Sequence, residues 1–258
     1  MNFTRGVVYV NNLGEKYGTG LKNLIDTVVN NIPGLSIQTV TTSTTSVYNA
    51  TLNYKGLLFS IRNSDNKIYT KVGSTETYSQ YLYSINHRST VTFMYSEEGV
   101  MSFSITSLDI DYTGASWTVS IIPIEFKLSD GTTKELFWFR DSMVSDYKIG
   151  NIPRFISTGT SLHNLLIDPD SQISYSFSIS GADIAPVVQA KGKSVAVPAT
   201  FSNSYGEVVS YNIKGSSPIY FIYPGVTETL KSFYAGTHVI YIGNVPYIGI
   251  GYEYFIRT

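Results

Sequence analysis

One amphipathic helix stands out in the pattern of apolar and polar positions near the start of the chain. Its apolar residues recur every three or four positions, a spacing that puts them on one helix face. The stripe consists of Leu21, Leu24, Ile25, Val28, Val29 and Ile32. Thr19 is placed to cap the start of the helix, and Pro33-Gly34 to end it. Because a one-sided apolar helix needs a partner surface, we expect it to pack on a sheet.

The rest of the chain alternates between apolar and polar residues, which predicts strand after strand. In the first half the predicted strands are 7–10, 35–41, 57–62, 68–72, 81–85, 91–95 and 101–105. In the second half they are 173–179, 209–213, 219–223, 238–242 and 247–256. Serine and threonine fill the alternate positions, so we expect hydroxyls on the solvent side of the strands and tyrosines on the half-buried side.

The clearest hairpin joins residues 117–128 to 134–140. Its turn contains Asp130-Gly131, a dipeptide that tolerates positive φ. Pro123 interrupts the first arm, and the apolar positions change phase around it, which predicts a bulge or an edge position there.

Together these elements predict a mainly β fold: an antiparallel β-sandwich or barrel-like domain with one N-terminal amphipathic helix packed on a sheet. The stretch 141–170 has the weakest pattern. We therefore divide the chain near residue 150, into a helix-plus-β domain at 1–150 and, at 151–258, a second β domain or a continuation of the same sandwich.

The composition of the chain predicts an unusual surface, with few charges and many tyrosines. Charged residues make up 14% of the 258-residue chain, the net charge is -1, and there are 21 tyrosines. About 25% charged residues is usual for globular proteins. The low charge argues against binding nucleic acid, which needs basic surface. Interfaces between proteins are depleted in Lys and Glu and enriched in Tyr, so the composition favours a surface that other chains cover.

The ends and the cysteine count narrow the class further. There is no cysteine, which excludes disulfides and cysteine-ligated metals. The first apolar run is too short for a signal peptide, and no stretch is long enough for a membrane helix. We expect synthesis in a cytoplasm and no membrane partner.

No catalytic pattern emerges, so we expect no enzyme, no cofactor and no metal. Histidine occurs only at positions 87, 163 and 238, and no Gly-x-Ser-x-Gly elbow is present. A glycosidase needs paired carboxylates, but the acidic residues mostly lie in predicted turns. The turn residues concerned are Asp65, Glu97, Glu98 and Asp130.

Two short motifs resemble ligand loops. Residues 109–114 match the first half of a calcium loop, but position 12 is Ser120 instead of a bidentate Glu. Gly192-Lys193-Ser194 resembles the end of a phosphate loop, but Val187 stands where a Gly is needed. We read both motifs as turns.

The whole chain resembles structural proteins of tailed-bacteriophage virions. The resemblance rests on the order of elements (a short strand, one amphipathic helix, then a Tyr/Ser/Thr-rich series of strands) and on two segments. The segments are 57–62 and the aromatic C-terminal run 244–258. The resemblance implies a non-enzymatic subunit of the tail, baseplate or neck, whose partners are copies of itself and other virion proteins.

Two alternatives stay open. In a carbohydrate- or receptor-binding module, Trp117, Trp138 and exposed tyrosines would stack on sugars such as host-surface glycans. In a β-pore-forming toxin, a hairpin that includes residues 173–179 would insert into a membrane.

Overall fold

The computed structural model describes residues 2–76, 80–81, 83–108, 116–144, 160–180, 195–198, 200–203, 208–214, 219–223, 239–249 and 254–257. Within these ranges the chain forms one α-helix, α1 (Tyr17–Asn31), and one 3-10 turn (Tyr83–Asn86). The strands of the first half are β1 (Phe3–Asn11), β2 (Leu35–Ser43), β3 (Tyr48–Tyr54), β4 (Leu57–Ser64), β5 (Lys67–Val72), β6 (Thr75–Glu76), β7 (Gln80–Tyr81), β8 (Arg88–Ser96), β9 (Met101–Ser107), β10 (Ser116–Leu128) and β11 (Thr133–Val144). Those of the second half are β12 (Thr160–Ile167), β13 (Ser174–Ser180), β14 (Val195–Pro198), β15 (Thr200–Asn203), β16 (Val208–Ile213), β17 (Ile219–Tyr223), β18 (Val239–Ile242), β19 (Val245–Gly249) and β20 (Tyr254–Arg257).

The described strands form three antiparallel sheets, which confirms the predicted mainly β class. The central sheet has the order β1-β8-β9-β10-β11-β12-β13-β15, with β16 also paired to β10. The second sheet has the order β2-β3-β4-β5-β6, with β7 also paired to β5, and the third has the order β14-β17-β20-β19-β18.

The central sheet contributes to two cores, one on each face. The first core lies between one face of the central sheet, the second sheet and α1. The second core lies on the other face, where Ile248 and Ile256 of the third sheet meet residues such as Ile122 and Trp138. Strand β9 is consequently buried along its whole length.

The predicted helix is confirmed, and its apolar stripe faces the first core, with Leu21, Leu24, Ile25 and Val28 buried. Its start differs from the prediction, since the helix begins at Tyr17 and Thr19 is not the cap. Instead the backbone carbonyl of Thr45, in the β2–β3 turn, accepts hydrogen bonds from the N–H groups of Gly18 (3.0 Å) and Thr19 (3.2 Å). The turn thereby satisfies two N–H groups that a helix leaves free at its start.

The β10–β11 hairpin is confirmed. Of the two alternatives predicted at Pro123, the bulge is not observed, whereas the edge position is, on one side of β10. Pro123 lies opposite Phe137 in continuous register. On the other side of β10, pairing with β9 ends at Ile121 and pairing with β16 begins at Ile124. The proline, which has no N–H to donate, thus sits between two neighbouring strands. The apolar phase changes because Ile121 and Ile122 face different cores, not because the strand bends.

The expectation that hydroxyls face solvent is wrong for the middle strands β9 and β10 of the central sheet. Ser102, Ser104, Thr118 and Ser120 of β9 and β10 are all buried. They pair across the strands, with 2.7 Å between the Oγ atoms of Ser102 and Ser120 and 2.5 Å between Ser104 Oγ and Thr118 Oγ1. Mutual hydrogen bonds let these hydroxyls occupy an interior face.

Two predicted strands differ from the observed elements. The predicted strand 81–85 is mostly the 3-10 turn, and the predicted strand 247–256 is two strands, β19 and β20, which pair with each other. As for the domains, strands from both sides of residue 150 share the central sheet, because β11 pairs with β12. The predicted boundary itself lies in 145–159, outside the described residues, so the division at 150 stays a prediction.

Candidate interaction surface

Strand β1 forms an edge of the central sheet. It pairs with β8 over nine residues without a register shift, and no other described strand pairs with it. Val8 and Val10 pack against the first core, so the alternate residues Arg5, Val7 and Tyr9 lie on the opposite face, where they are exposed. The exposed fraction is 53% for Val7 and 77% for Tyr9. Apolar and aromatic surface therefore borders the strand edge.

The β1 edge carries few of the features that normally prevent edge-to-edge pairing. Lysines, prolines and bulges serve this purpose in many proteins. Strand β1 has no lysine, no proline and no bulge, and Arg5 is its one charged residue. Its glycine, Gly6, is covered by Phe93, whose Cζ would lie 2.3 Å from a Cβ added there. The strand is thus continuous and well supported on its inner side.

The edge strand of the second sheet, β2, contrasts with β1. Its pairing with β3 shifts register twice, between Ile37 and Thr39 and again between Val40 and Thr42. Bulges of this kind bend a strand and interrupt the row of backbone groups that a neighbour could pair with. Of these two edges, β1 is therefore the better one for pairing with a strand of another chain.

A buried asparagine fixes the end of β1 to the helix. The Nδ2 atom of Asn12 donates to the carbonyls of Gly20 (2.9 Å) and Ile85 (3.0 Å), and its Oδ1 accepts from Nδ2 of Asn23 (3.0 Å). Asn12 is fully buried, and both donor hydrogens and the oxygen are used. These hydrogen bonds fix the end of the edge strand to α1 and to the 3-10 turn.

A cleft opens beside the start of β1, at the end of the sandwich where several turns meet. Its volume is about 470 Å³. Its lining comes from the start of β1, the α1–β2 turn, the β3–β4 turn and the β8–β9 turn: Asn2, Phe3, Thr4, Pro33, Gly34, Tyr54, Lys55, Tyr95, Ser96, Glu97 and Glu98. The Nζ atom of Lys55 donates to the backbone carbonyl of Glu97 at 3.3 Å, which links two of the turns.

The carboxylates singled out in the sequence have separate environments. Glu97 and Glu98 both line the cleft, whereas Asp65 and Asp130 lie in other turns. Asp130 accepts hydrogen bonds from the hydroxyl (2.7 Å) and the N–H (2.8 Å) of Thr132, and these bonds lower the pKa of its carboxyl. Asp130 thus stabilises its own hairpin turn.

The two tryptophans do not form a sugar platform. Trp117 and Trp138 are both fully buried, in the first and the second core respectively. Trp117 packs edge-to-face on Phe103, with 5.6 Å between ring centroids. The hypothesis that these tryptophans stack on carbohydrate is therefore wrong.

A second group of polar residues lies on the outer face of the second sheet. The guanidinium carbon of Arg62 lies 3.8 Å from the ring centroid of Tyr69, and Arg62 Nε lies 2.9 Å from Oε1 of Glu76. Because Arg62 occupies one face of the ring, that face is closed to a ligand. We read this group as a structural one.

The remaining candidate residues form no site in the part of the chain that the structure describes. Among those residues, no group of three or more His, Asp or Glu side chains could hold a metal ion. His87 is half-buried beside the 3-10 turn, and His163 lies opposite Asp141 in the central sheet. His238, the stretch 109–114 and Gly192-Lys193-Ser194 lie outside the described residues. Of the proposed pore hairpin, Ile173 is exposed.

The sequence pointed to the turn at 96–99 but not to the cleft, because the facing residues Tyr54 and Lys55 are some forty positions away in the chain. It also did not single out Val7 and Tyr9, since alternation alone does not tell which strand is an edge.

Among the described residues, no helix has the length and apolar character needed to span a membrane.

Comparisons with known proteins add no relative. Neither the protein-family models, nor the curated proteins, nor the solved structures include a match to this chain.

Proposed function

We propose that this chain is a non-enzymatic structural subunit of a tailed-bacteriophage virion, in the tail, baseplate or neck, and that it assembles with copies of itself through β1. The observation that carries the assembly is the unprotected edge of β1, with Val7 and Tyr9 exposed beside it. The low charge and the abundance of tyrosine support it, because interfaces share this composition. The assignment to a virion rests on the resemblance of the chain to virion proteins.

The edge is complementary to a second copy of itself. In an antiparallel pair of β1 strands centred on Val7, the two Val7 side chains face each other. Arg5 of each copy then lies opposite Tyr9 of the other copy, on the same face of the joined sheet, where a guanidinium can stack on an aromatic ring. The two arginines stay apart, and nine residues of pairing extend over about 30 Å.

A lysine in the middle of the edge tests this arrangement. In Val7→Lys, two like charges would meet across the pair, so we expect the dissociation constant of the dimer to rise at least about tenfold, an effect of about 1.4 kcal/mol. Mass photometry and light scattering across a dilution series measure it. Val40→Lys, on the bulged edge β2, is the matched control and should assemble like the wild type.

A pair of oppositely charged variants at position 7 tests whether pairing can be restored. Mixing Val7→Lys with Val7→Glu should restore pairing, because opposite charges then face each other. A wild type that stays monomeric at all concentrations would contradict assembly through β1, as would equal disruption by Val40→Lys.

The virion assignment is tested separately by mass spectrometry of purified particles, in which the chain should occur in several copies. Its absence from the particles would refute that assignment.

A further inference from the structure

A polar groove lies on the outer face of the second sheet, on the side of its strands that faces away from the first core. Its volume is about 290 Å³, close to the lower end of the ~300–1,000 Å³ range of small-ligand sites. Every residue that lines it carries a polar group: Thr41, Asn49, Thr51, Ser60, Arg62, Tyr69, Lys71 and Glu76. All eight are half-buried or exposed, so a ligand in the groove can reach their side chains.

The strand register arranges these side chains in two adjacent rows. One row is Thr51, Ser60, Lys71 and Glu76, and the next is Asn49, Arg62 and Tyr69. Alternate residues of the same strands, such as Leu52 and Phe59, are buried in the first core, which fixes the floor of the groove. Arg62 and Lys71 are diagonal neighbours on β4 and β5. Their Cα atoms are therefore about 7–8 Å apart, a distance that two long side chains can span.

Arg62 and Lys71 carry hydrogen-bond donors that the described part of the chain does not use. Arg62 stacks on Tyr69 and pairs through Nε with Glu76, which orients the guanidinium and leaves its Nη groups without a described partner. The ammonium of Lys71 is exposed and forms no hydrogen bond or ion pair with a described residue. Because the carboxylate of Glu76 already pairs with Arg62, the charge of Lys71 is uncompensated. The groove therefore favours a ligand with a carboxylate.

The uncharged groups of the groove suit a ligand with hydroxyls. Oγ1 of Thr51 and Oγ of Ser60 lie 2.8 Å apart, and since one donates to the other, the pair keeps one free O–H and free lone pairs. The side-chain amide of Asn49 makes no hydrogen bond with a described residue.

A peptide fits this groove less well. Strands β3 and β4 each pair with a strand on both sides, so the groove offers no backbone edge, and its lining has no apolar pocket. A sugar that carries a carboxylate matches both the charge and the hydroxyl-binding groups.

We propose that this groove binds an acidic saccharide unit, with its carboxylate hydrogen-bonded to the guanidinium of Arg62 and the ammonium of Lys71. Its hydroxyls bond to the amide of Asn49 and to the Thr51–Ser60 pair. Carbohydrate is thus recognised on the second sheet and not at the buried tryptophans. Because β1 belongs to the central sheet, the site does not depend on assembly through β1.

The first experiment titrates the full-length wild-type chain with matched pairs of sugars and follows its backbone amide resonances by NMR. The methyl glycosides of glucuronic and galacturonic acid are compared with those of glucose and galactose, and the methyl glycoside of N-acetylneuraminic acid with its methyl ester. We expect at least one acid to shift the resonances of Ser60 and Lys71. Its uncharged counterpart should bind at least about tenfold more weakly, because it lacks the charge-assisted hydrogen bonds. Added salt should weaken the binding of the acid.

Two further probes, acetate and a tripeptide that contains glutamate, distinguish the class of ligand. Acetate that binds as tightly as the acidic sugars would make the groove a site for simple anions, and a tripeptide that does so would make it a peptide site. Either result would contradict the proposal. So would the absence of shifts with all three acids, or equal binding of an acid and its uncharged counterpart.

The second experiment separates this site from a general effect of charge. Lys71→Gln removes an ammonium without a described partner, so we expect about tenfold weaker binding of the acid and an unchanged unfolding midpoint in urea. Lys71→Arg keeps the charge and should bind within about threefold of the wild type. Thr51→Val keeps the branched shape but loses the hydroxyl, which should weaken binding several-fold. Lys127→Gln, at an exposed lysine outside the groove, is the matched control. Unchanged affinity in both Lys71→Gln and Thr51→Val, or an equal loss in Lys127→Gln, would overturn the proposal.

Discussion

Tyr54 shows at the scale of one residue how burial turns into a dependence of stability on pH. Its side chain is only 1% exposed, and burial raises the pKa of its phenol from 10.0 to about 12. Below pH 10 the phenol is neutral in both states. Between pH 10 and 12 the unfolded chain releases this proton while the folded chain retains it, so the folded state becomes less stable as pH rises.

The consequence is measurable as a difference between two proteins. Relative to Tyr54→Phe, the wild type should lose up to about 3 kcal/mol of unfolding free energy from pH 9 to pH 12, because each pKa unit corresponds to about 1.4 kcal/mol. Urea denaturation at fixed pH values measures it. Taking the difference at each pH cancels the titration of the other tyrosines and the lysines. A difference that does not change with pH would show that burial of this phenol is not retained in solution.

At the scale of one element, α1 depends on a glycine that allows close contact with the 3-10 turn. A Cβ placed on Gly20 would lie 1.7 Å from the carbonyl oxygen of Ile85 in the 3-10 turn. The same carbonyl accepts a hydrogen bond from Asn12, so any shift of the turn would also disturb that buried amide. The close approach of helix and turn thus outweighs the intrinsic cost of glycine in a helix.

Substitution to alanine at two helix positions should therefore have opposite effects. Gly20→Ala gains about 1 kcal/mol of helix propensity but introduces the clash, and we expect a net loss of about 1–3 kcal/mol in unfolding free energy. Asn30→Ala, on the exposed face of α1, should instead stabilise by a few tenths of a kcal/mol. Thermal unfolding followed by circular dichroism measures both. A Gly20→Ala protein as stable as Asn30→Ala would contradict the close packing.

The elements that the sequence predicted correctly are those with a strong local signal. The stripe of α1 depends only on local spacing, and the β10–β11 hairpin is marked by its Asp130-Gly131 turn. Strand β3 was missed, although Tyr48, Ala50, Leu52 and Tyr54 alternate, since alanine and the intervening asparagines weaken its apolar pattern. At Pro123 the edge alternative holds and the bulge alternative is wrong, because the change of apolar phase comes from a strand buried on both faces. The cleft and the exposed edge depend on contacts between distant segments, which no local pattern encodes.

At the scale of the whole molecule, the side chain of Gln172 hydrogen-bonds the central sheet to the second sheet. Gln172 lies in the β12–β13 turn of the central sheet. Its Nε2 donates to the carbonyl of Gly56 at 2.9 Å, and its Oε1 accepts from the N–H of Leu58 at 3.1 Å. Its amide therefore pairs with the backbone of the β3–β4 hairpin in the way that a neighbouring strand would. The two sheets also share the first core, so we expect them to unfold together.

Replacing Gln172 should lower the free energy of unfolding, but the two sheets should still unfold together. Gln172→Ala leaves the Gly56 carbonyl and the Leu58 N–H to water, so we expect a loss of about 1 kcal/mol in unfolding free energy. Gln38→Ala, at an exposed glutamine within the second sheet, should change it by less than about 0.5 kcal/mol. Trp117 and Trp138 both belong to the central sheet, so their fluorescence reports on that sheet, whereas far-UV circular dichroism reports on all three. In urea the two signals should follow one transition in both variants, because the shared core still couples the sheets. Separate transitions in Gln172→Ala would mean that this side chain, and not the core, holds the two sheets together.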